Sequence, residues 1–217
     1  VSIKITDIIF DLDGTLIDSA PSILECFKRV LKSNNIEPLC ALNSELIGPP
    51  LAQTLSRITG IHDSEYVIKL AEDFKKHYDF DGYKSTVPFD GVGELLQACG
   101  LLGFNLHIAT NKRLLPTTLI LDHLGWTKHF KSIYALDSSS PSYANKAMML
   151  AALLDSEKID RSSGIYVGDR SEDNESALKN GLKFFGATWG YQDNNLLSNE
   201  DVICCNSIKQ FEQHLNS

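Results

Sequence analysis

The 217-residue chain lacks several features that would place it in a special class. No apolar run approaches the roughly 18 residues that mark a membrane span. The opening Val1-Ser2-Ile3-Lys4 has no charged, then apolar, then small-residue layout of a secretory leader. A cytoplasmic protein without a membrane partner is therefore expected. There is no excess of positive charge: 20 Lys and Arg against 28 Asp and Glu leave a net charge of −8, which does not attract nucleic acid. Cysteine is sparse. Cys26, Cys40, Cys99, Cys204 and Cys205 are odd in number and form no CxxC, so they read as reduced thiols, with the vicinal Cys204-Cys205 pair as core. The six histidines form no HExxH or paired-ligand spacing, which excludes the common zinc sites. No internal repeat is present, and the one biased stretch, Ser138-Ser139-Ser140-Pro141-Ser142, reads as an exposed loop. What remains, 43% hydrophobic and 22% charged, is a globular chain of one or two domains, long enough to fold on an apolar core alone.

Short apolar runs alternate with helical patterns over much of that chain. The runs are Asp7–Phe10, Asn105–Thr110, Ser132–Leu136, Gly164–Gly168, Lys183–Ala187 and Val202–Cys205. Helical spacing covers Gly91–Leu101, Leu115–Leu124, Ala144–Leu154 and Ser171–Asn180, the last followed by a C-cap glycine, Gly181. Continuous apolar strands separated by helices predict an α/β fold, a Rossmann-like parallel sheet covered on both faces. Between the first two runs no strand is visible. Ile23, Leu24, Phe27, Val30 and Leu31 recur at helical spacing, as do Leu51, Leu55 and Ile58, then Val67, Leu70, Ala71, Phe74 and Tyr78. Ser22 with Glu25 reads as a capping box, and Gly48-Pro49-Pro50 as a turn. The predicted organisation is a core domain of residues 1–15 and 87–217, with an all-helical domain of residues 16–86 inserted after strand one.

In such a sheet, ligands bind beyond the carboxyl ends of the strands. The first run ends in Asp11-Leu12-Asp13-Gly14-Thr15. Two carboxylates at i and i+2 beyond a buried strand repel each other, and a cation or a shared proton relieves the repulsion. The second run ends in Thr110-Asn111-Lys112, a hydroxyl and an amide where an anion can sit. Lys146 lies near a helix start, an unfavourable place for an ammonium without a negative neighbour. The fourth run ends in Gly168-Asp169-Arg170-Ser171-Glu172-Asp173, where Asp169 and Asp173 can converge as the chain enters a helix. An all-oxygen donor set points to a hard cation such as Mg²⁺.

Each cluster alone has a bland reading: an Asx turn, an ordinary loop, a surface lysine, acidic helix capping. Their order, Asp-x-Asp, Thr, Lys, Gly-Asp-x-x-x-Asp, is far more specific. Here the sequence resembles the haloacid dehalogenase superfamily, and nearly the whole chain takes part. The opening Phe10-Asp11-Leu12-Asp13-Gly14-Thr15-Leu16-Ile17-Asp18-Ser19 carries the resemblance most strongly. Ile47-Gly48-Pro49-Pro50-Leu51, Pro88-Phe89-Asp90-Gly91-Val92 and Thr188-Trp189-Gly190-Tyr191 resemble its phosphoglycolate-phosphatase-like branch, which carries a helical cap. There are departures: Ala147 follows Lys146 where relatives often have proline, and Glu172, Asn174 and Glu175 are unusual in the last motif.

The resemblance implies a Mg²⁺-dependent phosphatase acting on a small phosphorylated metabolite through an aspartyl-phosphate. Asp11 is the implied nucleophile and Asp13 the general acid and base. Thr110, with Asn111 beside it, and Lys146 are implied to bind the phosphoryl group, with Thr110 and Lys146 also in the catalytic set. Asp11, the backbone carbonyl of Asp13, Asp169 and Asp173 are the implied metal ligands. The acid two positions after the nucleophile favours phosphate esters over halides. A sugar phosphomutase of β-phosphoglucomutase type uses the same parts and stays open. A non-enzymatic phospho-accepting switch is disfavoured, because receiver domains have no cap of this size. The inserted helices are expected to act as a lid hinged at Thr15–Asp18 and about Gly82–Pro88, with specificity groups at Gly48–Leu51. Lys112, Arg113 and Arg170 read as solvated surface or as positive potential at the mouth. A monomer or homodimer is expected.

Overall fold

The computed structural model describes residues 4–200 and 202–215. The opening Val1–Ile3, part of the segment scanned for a leader, lie outside them. The chain runs β1 (Asp7–Phe10), β2 (Ile17–Asp18), α1 (Ala20–Ser33), α2 (Leu51–Thr59), α3 (Ser64–Tyr78), β3 (Val87–Pro88), α4 (Val92–Leu101), β4 (Asn105–Thr110), α5 (Leu114–His123), β5 (Ser132–Ala135), α6 (Lys146–Glu157), β6 (Gly164–Gly168), α7 (Ser171–Lys179), β7 (Lys183–Ala187), α8 (Asn194–Leu197), β8 (Ile203–Cys205) and α9 (Ile208–Leu215). Six strands pair in parallel in the order β5-β4-β1-β6-β7-β8. Among the described residues no helix is long and apolar enough to cross a membrane.

Alternation along each strand explains the two covered faces. Ile8, Phe10, Ile108, Val167 and Phe185 point to one side, into a cluster with Val92, Leu96, Ile120 and Phe211 of α4, α5 and α9. Ile9, Ala109, Tyr166 and Phe184 point to the other, against Met149, Leu150 and Leu153 of α6 and Ala177 of α7. Cys205 is buried in the first cluster, whereas Cys204 is only half-buried. Because β1 lies between β4 and β6, the chain leaves it in one direction and returns on the other side. The ends of these three strands therefore meet at the switch point of the sheet.

Helices α1–α3 gather their own apolar cluster from Phe27, Val30, Leu55, Ile58, Leu70, Phe74 and Tyr78, with the Phe27 and Phe74 rings 4.8 Å apart. Leu24 and Leu51, expected in that cluster, are half-buried at its edge. At the base of this helical segment, β2 and β3 pair antiparallel, a short contact that the sequence pattern did not show. The capping box expected at Ser22 and Glu25 does not form. α1 begins earlier, with Ser19 at its N-cap and Pro21 in its first turn, and Ser22 Oγ donates to the Ser19 carbonyl at 2.9 Å. Gly181 follows α7 at φ +70° as expected.

Candidate active site

The site begins with the sheet register. The Asp11 amide donates to the Val167 carbonyl at 2.9 Å, so strand pairing carries Asp11 one residue beyond Phe10 against the end of β6. The chain then turns back tightly, with the Gly14 amide on the Ile17 carbonyl and the Leu16 amide on the Leu12 carbonyl, both at 2.9 Å. Gly14 sits at φ +85°, and a Cβ there would overlap the Asp169 carboxylate. A Cβ on Gly168 would likewise overlap the Asp173 side chain. These two glycines let the backbone approach the acids.

Asp173 reaches the site by helix capping. It is the third residue of α7, and its Oδ2 accepts the Arg170 amide at 3.0 Å, which turns the carboxylate back towards Asp169. Lys146 opens α6 and is buried. Its Nζ lies 3.0 Å from Asp11 Oδ1 and 2.6 Å from Asp173 Oδ1. The negative neighbours that a lysine at a helix start requires are thus these two acids. Asp169 accepts the Tyr191 amide at 3.0 Å and the Thr15 hydroxyl at 3.4 Å.

Asp11, Asp169 and Asp173 each place a carboxylate oxygen within 4.8 Å of the others. All three are buried, and among the described residues Lys146 is the one ammonium that pairs within the cluster. Arg170 stands further off, 3.9 Å from Asp169. Burial pushes the Asp11 carboxyl up to about 7, with Asp173 and Asp13 adding to the rise and Lys146 opposing it. Asp169 is raised well above the usual carboxylate range by burial and by the same acidic neighbours. Burial works against the Lys146 charge, but Asp11 and Asp173 outweigh it and hold the ammonium well above its ordinary range. Three buried carboxylates against one ammonium leave a surplus of negative charge. A divalent cation with a preference for oxygen would neutralise it, so the donor set fits Mg²⁺.

Thr110 is buried at the end of β4, the strand beside β1, and its Oγ1 accepts the Lys112 amide at 3.2 Å. The Asp13 carboxylate lies outside the three-acid cluster. Lys112 Nζ is 3.0 and 3.1 Å from its two oxygens, and the Ser19 hydroxyl donates to Oδ1. The Asn111 amide donates to the Gly48 carbonyl at 3.1 Å and to Glu172 Oε2 at 3.0 Å. The three cations read as surface all have partners. Besides Lys112 on Asp13, Arg113 forms a two-pronged pair with Asp79 beyond α3, at 2.9 and 2.6 Å. Arg170 donates to the Ser44 and Ile47 carbonyls at 2.9 and 2.8 Å. A cavity of about 80 Å³ opens beside Asp13, between Lys112 and Asn111 below and Phe27, Ile47, Phe74 and Tyr78 above.

A family model described as haloacid dehalogenase-like hydrolase matches residues 8–187. The chain belongs to the haloacid dehalogenase-like hydrolases. It is 29% identical over its whole length to a 5'-nucleotidase of Pseudomonas aeruginosa, covering 98% of that protein. It is 32% identical to a phosphoglycolate phosphatase of Rhodobacter capsulatus over 192 residues, 85% of either chain. It is 34% identical over 185 residues to the tyrosine-protein kinase PtkA of Mycobacterium tuberculosis, of whose length it covers 62%. The solved PtkA structure superposes with a TM-score of 0.82 at 29% identity, over 99% of both chains. The phosphoglycolate-phosphatase-like branch resemblance thus holds for this member of the family.

Four residues had no role assigned from sequence. Tyr166 lies inside an apolar strand, and its hydroxyl stands 3.1 Å from Asp173 and 3.0 Å from the Ala109 carbonyl. Alternation along β6 was the available signal for its face. Ser19 stood only at the end of the opening motif, and its hydroxyl donates to Asp13. Trp189 and Tyr191 had only the motif resemblance. Trp189 Nε1 donates to the Thr15 carbonyl at 2.9 Å, and the Tyr191 hydroxyl donates to Asp18 at 2.7 Å while accepting the Ser19 and Ala20 amides at 2.8 Å. Together they staple the turn that carries Asp13.

Proposed function

We propose that this haloacid dehalogenase-like hydrolase is a Mg²⁺-dependent phosphoric monoester hydrolase acting on a small phosphorylated metabolite. The observation that carries the reading is the closely grouped set of buried carboxylates, Asp11, Asp169 and Asp173, with Lys146 against two of them. An Asp11 oxygen attacks phosphorus, the phosphorus–leaving-oxygen bond breaks, and Asp13 gives a proton to the leaving oxygen. Water then attacks the aspartyl-phosphate and passes a proton to Asp13, and the Asp11 oxygen–phosphorus bond breaks to release inorganic phosphate. Lys146 and the Thr110 hydroxyl hold phosphoryl oxygens. Asp11, Asp169, Asp173 and the Asp13 carbonyl are the residues that would hold Mg²⁺, which supplies charge neutralisation at the transferring phosphoryl group when bound.

Residues 16–86 form the cap in this reading, with 1–15 and 87–217 as the core domain. The β2–β3 pair joins the two hinge stretches. Gly48 is held by Asn111, which lines the cavity beside Asp13, and among the described residues the buried Asn111 Oδ1 and Arg170 Nε have no hydrogen-bond partner. Five free cysteines fit a cytoplasmic protein. The test is release of inorganic phosphate from p-nitrophenyl phosphate, with and without Mg²⁺ and with no nucleotide present. Turnover that needs Mg²⁺ and disappears in Asp11→Asn supports the reading. Undiminished turnover by Asp11→Asn refutes it.

A further inference from the structure

The proposed hydrolysis leaves one buried cation without a task. Lys112 is 6% exposed at its side chain, although it sits in a loop at the mouth of the site. Its ammonium spans both Asp13 oxygens at 3.0 and 3.1 Å and lies 4.7 Å from the centroid of the Tyr78 ring. Holding a lysine this way costs side-chain freedom. The position explains what that immobility does. Asp13 and Lys112 both line the cavity under Phe27, Phe74 and Tyr78, whereas Asp11, Asp169, Asp173 and Lys146 do not. The cavity is therefore on the leaving-group side of Asp13, and the cluster on its phosphoryl side.

We propose that Lys112 is a positioning residue for the leaving-group half of the reaction: its ammonium fixes the Asp13 side chain beside the leaving oxygen, and the Tyr78 ring fixes the ammonium. This rests on the hydrolase reading above. As the phosphorus–leaving-oxygen bond breaks, the proton passes from Asp13 to that oxygen, and Asp13 becomes a carboxylate. Lys112 keeps the Asp13 side chain within reach of that oxygen during the transfer. Its contribution is greatest when the leaving oxygen is basic and needs the proton, and least when it departs as a stable anion. Ser19, donating to Asp13 Oδ1, completes the cradle.

The test compares p-nitrophenyl phosphate, whose nitrophenolate departs readily, with phenyl phosphate, which has the same ring and a poorer leaving group. Both kcat/KM values are measured on the same preparations of wild type, Lys112→Met and Lys112→Arg. Their ratio does not depend on how much of a variant is folded. In Lys112→Met the phenyl ester is expected to lose about fivefold or more beyond the loss on the nitrophenyl ester, a part of what general acid catalysis contributes. Lys112→Arg keeps the charge and is expected to recover part of that selective loss. Equal losses on the two esters, a larger loss on the nitrophenyl ester, or an arginine variant as selective as the methionine one would overturn the proposal. Absence of phosphate release from either ester by the wild type, or release untouched by Asp11→Asn, marks instead a failure of the hydrolase reading.

Discussion

Replacing Asp11 by asparagine probes the charge imbalance of the site as well as its chemistry. In the metal-free protein the Asp11 carboxyl is pushed from an ordinary 3.8 up to about 7, first by burial. A carboxyl raised in the folded state binds its proton more tightly there than in the unfolded chain. It therefore imposes no penalty below about pH 4, a growing one between 4 and 7, and its full penalty above 7. That difference corresponds to roughly 4 kcal/mol. The amide of the Asp11→Asn variant carries no charge, so this penalty disappears, although Lys146 loses one of its two partners and returns part of the gain. A net stabilisation of about 2 kcal/mol at pH 8 without divalent ions is expected. For a chain of this size that is a rise of about 4–8 °C in Tm. Adding Mg²⁺ should raise the Tm of the wild type by more than that of Asp11→Asn, because the variant has lost one charge that a cation offsets. Thermal melts at pH 5 and pH 8, with EDTA and with Mg²⁺, check all of this. A variant less stable than wild type at pH 8 in EDTA, or equally responsive to Mg²⁺, would mean that the cluster is not overcharged and that the metal argument is wrong.

Gly14→Ala should abolish turnover and cost about 2 kcal/mol or more, because the backbone sits at φ +85° and the added methyl meets the Asp169 carboxylate; denaturant melts beside phosphate release check it, and wild-type values would refute the close approach. Arg113→Ala and Asp79→Ala should show a coupling of about 1 kcal/mol in a double-mutant cycle, since the two-pronged pair is only partly buried; additive losses would mean that the pair holds nothing. His107 lies buried between Ser132 and Asp7, and burial holds its pKa below the ordinary value although Asp7 opposes it. The unfolded chain then takes up the proton first, so this group's contribution is lost as pH falls below about 6.5. The stability advantage of wild type over His107→Asn should therefore be smaller at pH 5 than at pH 8, and an advantage that grows on acidification contradicts it.

Period and order are what the amino-acid sequence carries on its own. Six apolar runs between helical patterns specify a parallel sheet covered on both faces, because only strands buried on both sides read as unbroken apolar runs. Acids at the ends of β1 and β6, a hydroxyl at the end of β4 and a lysine at the start of α6 were legible because sheet ends are few and an unpaired charge there demands an explanation. The carboxylate of Asp173, four residues beyond Asp169, was legible through the geometry of a helix start.

The partners of these groups came from the folded chain, because they depend on which side chains arrive from distant segments. Lys112 looked like a surface residue until Asp13 and Tyr78 enclosed it. Asn111 was placed beside Thr110 from sequence, but its hold on the Gly48 carbonyl was not visible there, because the turn at Gly48 arrives from the helical segment. Ser19 is the N-cap of α1 by position, yet its hydroxyl serves Asp13. No local pattern distinguishes a solvated lysine from one held over an acid by a ring some 30 residues away in sequence. Long polar side chains are settled by three-dimensional neighbours, whereas strands and helices announce themselves through their own repeat.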